Sequence, residues 1–176
     1  TAVTAAPYKA VLVEEGTGPW CQWCPRGAVF MDRNSDRYKS LFIPIAVHNG
    51  GTNPMRIVEY DSFMDFPGYP NCKINRDQII DPSSSEVPFL REIALPTIAN
   101  IVTGAKYTAS SRELLVSTEV EFLDDATGTY NVNLVLTEDG VKGTTSAYNQ
   151  SNAYAGGTNG IMGGFELLPN PVPATQ

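Results

Sequence analysis

The sequence predicts an α/β domain over residues 1–96 followed by an antiparallel β-domain over residues 97–176. Three observations support this prediction. Strand-like and helix-like segments alternate as far as Pro96, whereas short runs of β-branched and aromatic residues dominate afterwards. A Cys-x-x-Cys motif, Cys21 to Cys24, lies where the first predicted strand gives way to the first predicted helix. Of the 176 residues 42% are hydrophobic, and no apolar run approaches the ~20 residues that cross a membrane.

The first half of the α/β domain is predicted from its apolar runs and its prolines. Residues 8–15 have the apolar content of a buried strand. Pro25 begins the following helix, because a proline in the first helical turn loses no hydrogen bond, and apolar residues continue that helix to about Lys39. The continuous apolar run from Leu41 to Val47 predicts a central strand that is covered on both faces.

The second half of the domain is predicted from capping residues and turns. Asn53 followed by Pro54 is typical of a helix start, and this helix must end before Pro67. Two short strands and a helix are predicted next, at Lys73–Asn75, Gln78–Ile80 and Ser84–Leu95. The complete order of strand, helix, strand, helix, strand, strand and helix is that of a thioredoxin-like domain.

The Cys21 and Cys24 pair is the strongest functional signal in the chain. A helix N-terminus stabilises a thiolate, so two cysteines at this position predict reversible thiol–disulfide chemistry. Cys21, expected to be the more exposed, is the predicted nucleophile, and Cys24 is the predicted resolving thiol. The alternatives are a static disulfide and a relic dithiol on a scaffold that is now used for binding. Structural zinc needs four nitrogen or sulfur ligands and the chain has one histidine, so neither a metal site nor a cofactor is expected.

Two further residues are predicted to act on this dithiol. In thioredoxin-like folds a cis-proline lies against the two cysteines, and X-Pro is the peptide bond at which the cis form costs least, so Tyr69-Pro70 is expected to be cis. Glu15 lies where thioredoxins carry a buried acid that exchanges protons with the resolving cysteine. Glu14 is adjacent, and strand alternation predicts that only one of the two glutamates faces inward; we expect this to be Glu15.

Aromatic residues next to the motif are candidates for substrate binding. Trp20 and Trp23 flank the thiols and can both shield them and offer a flat apolar platform to a peptide. Tyr69, next to Pro70, is assigned to the same substrate-binding group. The third cysteine, Cys72, is expected to be a buried thiol.

The remainder of the chain predicts a small, truncated β-sandwich-like domain. Three antiparallel strands are expected, at Ile98–Ala109, Glu113–Leu123 and Gly128–Thr137. The segment from Gly140 to Gln176 is rich in Gly, Asn, Ser, Tyr and Pro without clear periodicity, and we expect the native polypeptide to continue beyond it. Residues 1–6 lack the pattern of a signal peptide, which indicates a mature or trimmed form.

The charge of the chain argues against nucleic acid as a partner. Twelve Lys and Arg residues are scattered among nineteen Asp and Glu residues, and the formal net charge is -7. Binding to phosphates needs clustered basic side chains, which this sequence does not have.

Several segments together resemble one family, the outer-membrane-associated proteins named for a twenty-eight-kilodalton surface lipoprotein of Gram-negative anaerobes. The segments are Val13-Glu14-Glu15, Trp20-Cys21, Trp23 to Gly27, Gly68-Tyr69-Pro70, Leu136 to Asp139, Met162 to Glu166 and Leu168 to Pro173. The resemblance implies a thioredoxin-like domain followed by a β-sandwich-like domain, with a location in the periplasm or at the outer membrane. The implied partners are exported proteins or surface components, and outer-membrane association is expected through a segment absent from this sequence. Gly16 departs from the family, in which an aromatic residue is common at this position.

Two functions therefore compete. The first is an extracytoplasmic thiol–disulfide oxidoreductase that acts on exported proteins through Cys21 and Cys24. The second is a cell-surface binding or assembly protein in which the disulfide only braces the fold. In the second case the β-domain and the loop from Tyr148 to Phe165 would make the contacts.

Overall fold

The computed structural model describes residues 9–174, and the expectations about residues 1–8 and 175–176 lie outside this range. The described chain has a mixed α/β fold with three helices, a four-stranded sheet and a two-stranded sheet. The strands are β1 Val11–Thr17, β2 Phe42–His48, β3 Asn71–Ile74, β4 Gln78–Ile80, β5 Ala99–Thr108 and β6 Glu113–Phe122. The helices are α1 Pro25–Tyr38, α2 Val58–Met64 and α3 Glu86–Ala94. Up to α3 these elements follow the predicted order, but α2 begins at Val58 and not at the predicted start Asn53–Pro54. No helix within residues 9–174 is long and apolar enough to cross a membrane.

The four-stranded sheet has the order β2-β1-β3-β4, which places β1 inside the sheet and β2 at its edge. The expectation that the run Leu41–Val47 forms a central strand covered on both faces is therefore wrong, and Ile43 of β2 is 42% exposed. β1 runs parallel to β2, with Val11 opposite Phe42, and antiparallel to β3, with Glu15 opposite Cys72. β3 and β4 form a hairpin whose turn residues Asn75 and Arg76 both have positive φ, as tight β-hairpins favour. The C-terminal end of β1 therefore leads from the middle of the sheet into the Cys-x-x-Cys motif.

Apolar side chains pack on both faces of this sheet. On one face Val11 and Val13 of β1 pack with Met31 of α1 and Phe89 of α3, all of them buried. On the other face a smaller cluster is built from Val47 of β2, Met64 of α2 and Phe66. The central strand is consequently enclosed by protein on both sides.

This enclosure corrects the expectation that only one of Glu14 and Glu15 faces inward. The two side chains do point to opposite faces, as alternation requires, but both faces of β1 are covered and both glutamates are buried. The Glu14 carboxylate accepts hydrogen bonds from the Arg76 guanidinium, at 3.0 and 3.1 Å, and from the Tyr60 hydroxyl. Glu14 is thus a paired structural charge, and Glu15 is the carboxylate without such a partner.

The C-terminal segment, residues 136–174, belongs to the same compact unit as residues 10–94. This differs from the predicted division of the chain at 96/97, which assigned the segment to the β-domain. The physical reason is burial within the unit: Asn152, Tyr154 and Val172 of the segment are each less than one-tenth exposed. The segment has little regular structure, and one antiparallel bridge joins Gln150 to Val172.

Residues 95–135 form the second compact unit, built on the β5–β6 hairpin. The predicted turn at Ala109 to Arg112 is present. The predicted third strand, Gly128–Thr137, is wrong, because this segment forms no ladder with another described strand. Apolar and polar residues alternate there as in a strand, but alternation without a partner backbone leaves Val132, Leu134 and Leu136 more than half exposed.

Candidate functional site: the Cys21–Cys24 disulfide and its cleft

Cys21 and Cys24 form a disulfide between the end of β1 and the start of α1. The S–S distance is 2.04 Å, and the two Cα atoms are 5.3 Å apart. The Cys21 backbone N–H donates to the Gly18 carbonyl, and the Cys24 N–H donates to the Cys21 carbonyl, so the motif is a tight turn that enters the helix. Cys24 is the N-cap residue and Pro25 occupies the first helical turn, as predicted.

The expected difference in exposure between the two cysteines is small. Cys21 is 4% exposed and Cys24 is 2% exposed. Cys21 nevertheless lines an open cleft of about 360 Å³, whereas Cys24 does not. Access to the disulfide from this cleft is therefore through Cys21.

Three aromatic side chains surround Cys21 in the cleft: those of Trp20, Trp23 and Tyr69. The Trp20 indole N–H donates to the Asn49 carbonyl at 2.8 Å, and its ring meets Tyr69 edge-on with 5.4 Å between centroids. These two contacts hold Trp20 in place although about half of its surface is exposed. All three predicted substrate-binding residues thus lie together beside the predicted nucleophile.

The Tyr69–Pro70 peptide bond is cis, which confirms the prediction for this bond. Pro70 is buried immediately before β3, and the Tyr69 ring forms part of the cleft wall. The Tyr69 hydroxyl lies 3.4 Å from the Asp61 carboxylate, and burial, followed by the charge of Asp61, raises the pKa of Tyr69 to about 12. Tyr69 therefore remains a neutral phenol in the cleft at physiological pH.

Glu15 lies on the α1 face of the sheet, 3% exposed. Its Oε1 atom has no hydrogen-bond partner among the described residues. Burial, with a smaller contribution from the charge of Asp32, raises the pKa of Glu15 from 4.5 to about 8. A carboxyl group with this pKa can hold or release a proton near neutral pH.

Gly27 links Glu15 to the other site residues. A Cβ atom added at Gly27 would lie 1.7 Å from Oε1 of Glu15 and 3.2 Å from Cβ of Pro70. Gly27 is three residues after Cys24 on α1, so the structure brings Glu15 and Pro70 together against the first turn of the helix that carries the disulfide.

The space at Gly16 is filled by other aromatic residues. A Cβ atom at Gly16 would lie 2.6 Å from Cδ2 of Phe66 and 3.0 Å from Cε1 of Tyr69. Phe66 and Tyr69 also meet edge-on at 6.2 Å. Two aromatic side chains from the loop that precedes β3 therefore fill the space beside Gly16.

The C-terminal segment contributes to the site, which the sequence did not reveal. The Ser151 N–H donates to the Pro19 carbonyl at 2.7 Å, and the Ala153 N–H donates to the Gln22 carbonyl at 2.8 Å. The Gln150 side chain donates to the Cys21 carbonyl at 2.8 Å. Residues 150–153 therefore lie along the Cys-x-x-Cys turn, and the lining of the cleft is completed by Gln22, Ser151 and Asn170.

Other contacts anchor this segment to α1 and the motif. The Tyr154 ring meets Trp23 edge-on at 5.7 Å. Gly163 has a φ of 57° and approaches Val29 so closely that a Cβ atom would lie 2.7 Å from the valine side chain. The Asn- and Gly-rich composition of the C-terminal segment is typical of a loop. It contains no periodic pattern that could have predicted these contacts with α1 and the motif.

The other reactive side chains do not join the cleft. Cys72 is a buried free thiol, as expected, and burial raises its pKa to about 12. His48 lies at the end of β2 beside Asn53, and burial lowers its pKa. Within residues 9–174 no group of three or more His, Cys, Asp or Glu side chains is arranged to hold a metal ion.

Comparisons with known proteins give one weak similarity. No protein-family model and no curated protein matches the chain. Among solved structures the chain is similar to HBP35 of Porphyromonas gingivalis, with 18% sequence identity and a TM-score of 0.44. The match covers 58% of this chain and 38% of that one, so this chain aligns with well under half the length of HBP35. A similarity of this extent establishes neither a family nor a function.

Proposed function

We propose that this protein is an extracytoplasmic thiol–disulfide oxidoreductase whose site is built on a thioredoxin-like domain. The observation that carries the proposal is the arrangement around one disulfide: an aromatic cleft reaches Cys21, and the buried Glu15 carboxyl lies beside Pro70 against the first turn of the helix that follows Cys24. The element order strand, helix, strand, helix, strand, strand, helix supports the thioredoxin-like assignment. The extracytoplasmic location, and exported proteins as partners, rest on the family resemblance.

In the proposed reaction the reduced protein attacks a substrate disulfide through the Cys21 thiolate. A bond forms between Cys21 and one substrate sulfur while the substrate disulfide breaks, and the other substrate sulfur leaves with the electron pair. Cys24 then attacks Cys21, which re-forms the protein disulfide and releases the second substrate thiolate. The substrate disulfide is reduced to two thiols, and the protein dithiol is oxidised; in reverse, the same steps oxidise a substrate.

Glu15 has the role of a proton acceptor and donor in this scheme. Cys24 must lose its proton before it attacks, and it regains one when the protein disulfide is reduced. The Glu15 carboxyl lies against the first turn of the helix that follows Cys24 and has a pKa of about 8, so both its protonation states are accessible near neutral pH.

The experiment that tests the proposal is the reduction of insulin disulfides by dithiothreitol, followed by turbidity. The unmodified protein should accelerate the reaction, and both Cys21→Ser and Cys24→Ser should abolish the acceleration. Cys72→Ala is the matched control, because it removes the third cysteine without touching the cleft, and it should retain the acceleration. If the unmodified protein gives no acceleration over dithiothreitol alone, the proposal fails.

A second candidate function, binding or assembly at the cell surface, is favoured by the β5–β6 hairpin. The cross-strand pairs Ile101–Val120 and Tyr107–Leu114 share one face of the hairpin, which is mainly apolar and is interrupted by the pair Thr103–Thr118. Ile101, Tyr107 and Leu114 are each more than 40% exposed. Several exposed apolar side chains on one face are typical of interaction sites. This function would stand alone if the disulfide proved inert to dithiothreitol in the native protein.

A further inference from the structure

The cleft beside Cys21 is uncharged. None of the described residues that line it is a Lys, Arg, His, Asp or Glu. Its lining instead combines the three aromatic rings with the side chains of Gln22, Ser151 and Asn170. A thiol that enters this cleft therefore meets aromatic surface and neutral hydrogen-bonding groups.

Two arginines close to the site residues form ion pairs with carboxylates. Arg26, the basic residue closest to Cys24 along the chain, forms an ion pair with Asp81 at 2.6 Å. Asp61, next to the Tyr69 hydroxyl, is buried and pairs with Arg56 at 2.6 Å. These pairs leave neither Arg26 nor Arg56 as an uncompensated cation for an anionic thiol.

This composition discriminates between classes of thiol. Glutathione carries two carboxylates and one ammonium group, and carboxylates are recognised in proteins mainly by Arg and Lys side chains or by clustered backbone N–H groups. The chain as a whole has a formal net charge of -7, which also repels anions. A neutral peptide has no carboxylate that needs a basic partner, and the negative charge of the protein does not repel it.

The cleft has groups suited to an extended neutral peptide. Within the described residues, the backbone N–H and C=O of Tyr69 form no backbone hydrogen bond with another residue. Asn170 uses its Oδ1 atom to accept from the Asn152 N–H, which leaves its amide NH₂ group as a donor. Trp20 and Trp23 offer aromatic surface to an apolar side chain beside the substrate cysteine.

We infer that Cys21 exchanges disulfides with a cysteine in an extended, uncharged peptide segment that has an apolar residue next to that cysteine, and that the cleft selects against glutathione. This inference rests on the proposed function and adds its substrate class. It also gives the C-terminal segment a role, because Ser151 and Asn170 form part of the selective lining.

The exchange step can be written for the oxidised protein and a peptide thiol. The peptide thiolate attacks Sγ of Cys21, a peptide–Cys21 disulfide forms, and the Cys21–Cys24 bond breaks with its electron pair moving to Cys24, which takes up a proton. A second peptide thiolate then attacks the peptide sulfur and releases Cys21 as a thiolate. Two peptide thiols are oxidised to one disulfide, and the protein disulfide is reduced to a dithiol.

The test measures how fast different thiols reduce the full chain, using the fluorescence of Trp20 and Trp23 near neutral pH. The thiols are Ac-Gly-Phe-Cys-Gly-NH₂, an analogue with Gly in place of Phe, an analogue with Glu in place of the last Gly, and glutathione. Each rate is divided by the rate of the same thiol with hydroxyethyl disulfide, which removes differences in thiol reactivity. The normalised rate of the neutral Phe peptide should be about tenfold higher than the rates of glutathione and the Glu peptide. It should be severalfold higher than the rate of the Gly peptide. Equal normalised rates would overturn the inference.

A pair of variants separates the cleft from the overall charge. Gln22→Lys adds a cation to the exposed lining, and Asn131→Lys adds the same charge in the other compact unit. Gln22→Lys should raise the normalised rates of glutathione and the Glu peptide severalfold, while Asn131→Lys should leave the selectivity unchanged. Equal effects of the two variants would contradict selection by the cleft.

Reduction by dithiothreitol, a neutral dithiol, tests the proposed function separately from the inference. If dithiothreitol fails to reduce the native protein, the oxidoreductase proposal fails. If it reduces the protein but the peptides and glutathione show no selectivity, only the inference is overturned.

Discussion

Gly27 of α1 and Glu15 of β1 approach so closely that a Cβ atom at Gly27 would lie 1.7 Å from the glutamate Oε1 atom. A glycine at this helix position lets the carboxyl group lie directly against the first turn of α1. The group is shielded from water there without a described hydrogen-bond partner for Oε1, and this burial raises its pKa to about 8. The close approach therefore connects a packing detail to acid–base chemistry at the disulfide.

Glu15 should make the stability of the protein depend on pH. Its pKa rises from 4.5 in the unfolded chain to about 8 in the folded chain, so the folded state retains a proton that the unfolded state releases between these values. The contribution to stability is fully present below pH 4.5 and is lost as the pH rises through about 8. The expected slope is up to about 1.4 kcal/mol per pH unit.

Urea unfolding of the oxidised protein across this pH range measures the effect. Glu15→Gln keeps the shape of the side chain but cannot ionise, so its free energy of unfolding should decline less than that of the unmodified protein. Asp36→Asn, which changes an exposed carboxylate on α1, is the control and should keep the slope. Identical pH profiles for Glu15→Gln and the unmodified protein would show that Glu15 does not titrate in this way.

Asn152 should hold the C-terminal segment on the Cys-x-x-Cys turn. Its buried amide donates to the Phe165 carbonyl at 2.8 Å and accepts from the Tyr154 N–H at 3.0 Å. Asn152→Ala leaves these groups without partners and should lower the free energy of unfolding by about 2 kcal/mol. Hydrogen exchange should also accelerate at the Ser151 and Ala153 amides. Unchanged protection of those two amides would mean that the segment docks independently of Asn152.

The buried Glu14 carboxylate should depend on Arg76. Arg76→Ala leaves a charge that is 0% exposed without its cationic partner and should destabilise the protein by about 3 kcal/mol in chemical denaturation. The control is removal of the exposed Asp36–Lys39 pair by Asp36→Asn, which should cost less than about 0.5 kcal/mol. A similarly small loss of unfolding free energy for both variants would show that water solvates the Glu14 carboxylate when Arg76 is removed.

The β5–β6 hairpin should be the least stable regular structure in the described chain. A two-stranded sheet buries little apolar surface, whereas β1 lies at the centre of a sheet covered on both faces. Amide hydrogen exchange of the full chain should therefore be orders of magnitude faster in β5 and β6 than in β1. Equal protection in the two places would indicate that the apolar face of the hairpin is covered in solution.

The sequence predicted the parts of the molecule that depend on local chemistry. Pro25 in the first turn of α1 and the cis Tyr69–Pro70 bond follow from proline geometry, and the order of the early elements follows from apolar periodicity. The burial of Glu14 could not be predicted, because alternation fixes the face of a side chain but not whether that face is covered.

The predictions were weakest where structure depends on contacts distant in sequence. The alternation around Val132 predicted a strand, but a strand also needs a partner edge, which a pattern along one segment cannot supply. Ser151 lies at the cleft because its N–H donates to Pro19, more than a hundred positions earlier in the chain. Asn170 is held there by the Asn152 N–H, which lies on the other side of an irregular loop. No periodic pattern accompanies such contacts, so this side of the site became visible only in three dimensions.

The reduction potential of the Cys21–Cys24 pair in the full chain distinguishes an exchanging disulfide from a structural one. Equilibration in dithiothreitol redox buffers, followed by alkylation of the free thiols, measures it, and Cys72→Ala removes the background from the third cysteine. We expect a potential above about −300 mV, in the range of disulfides that exchange with substrates. A potential below about −300 mV would identify the disulfide as structural and contradict the oxidoreductase proposal.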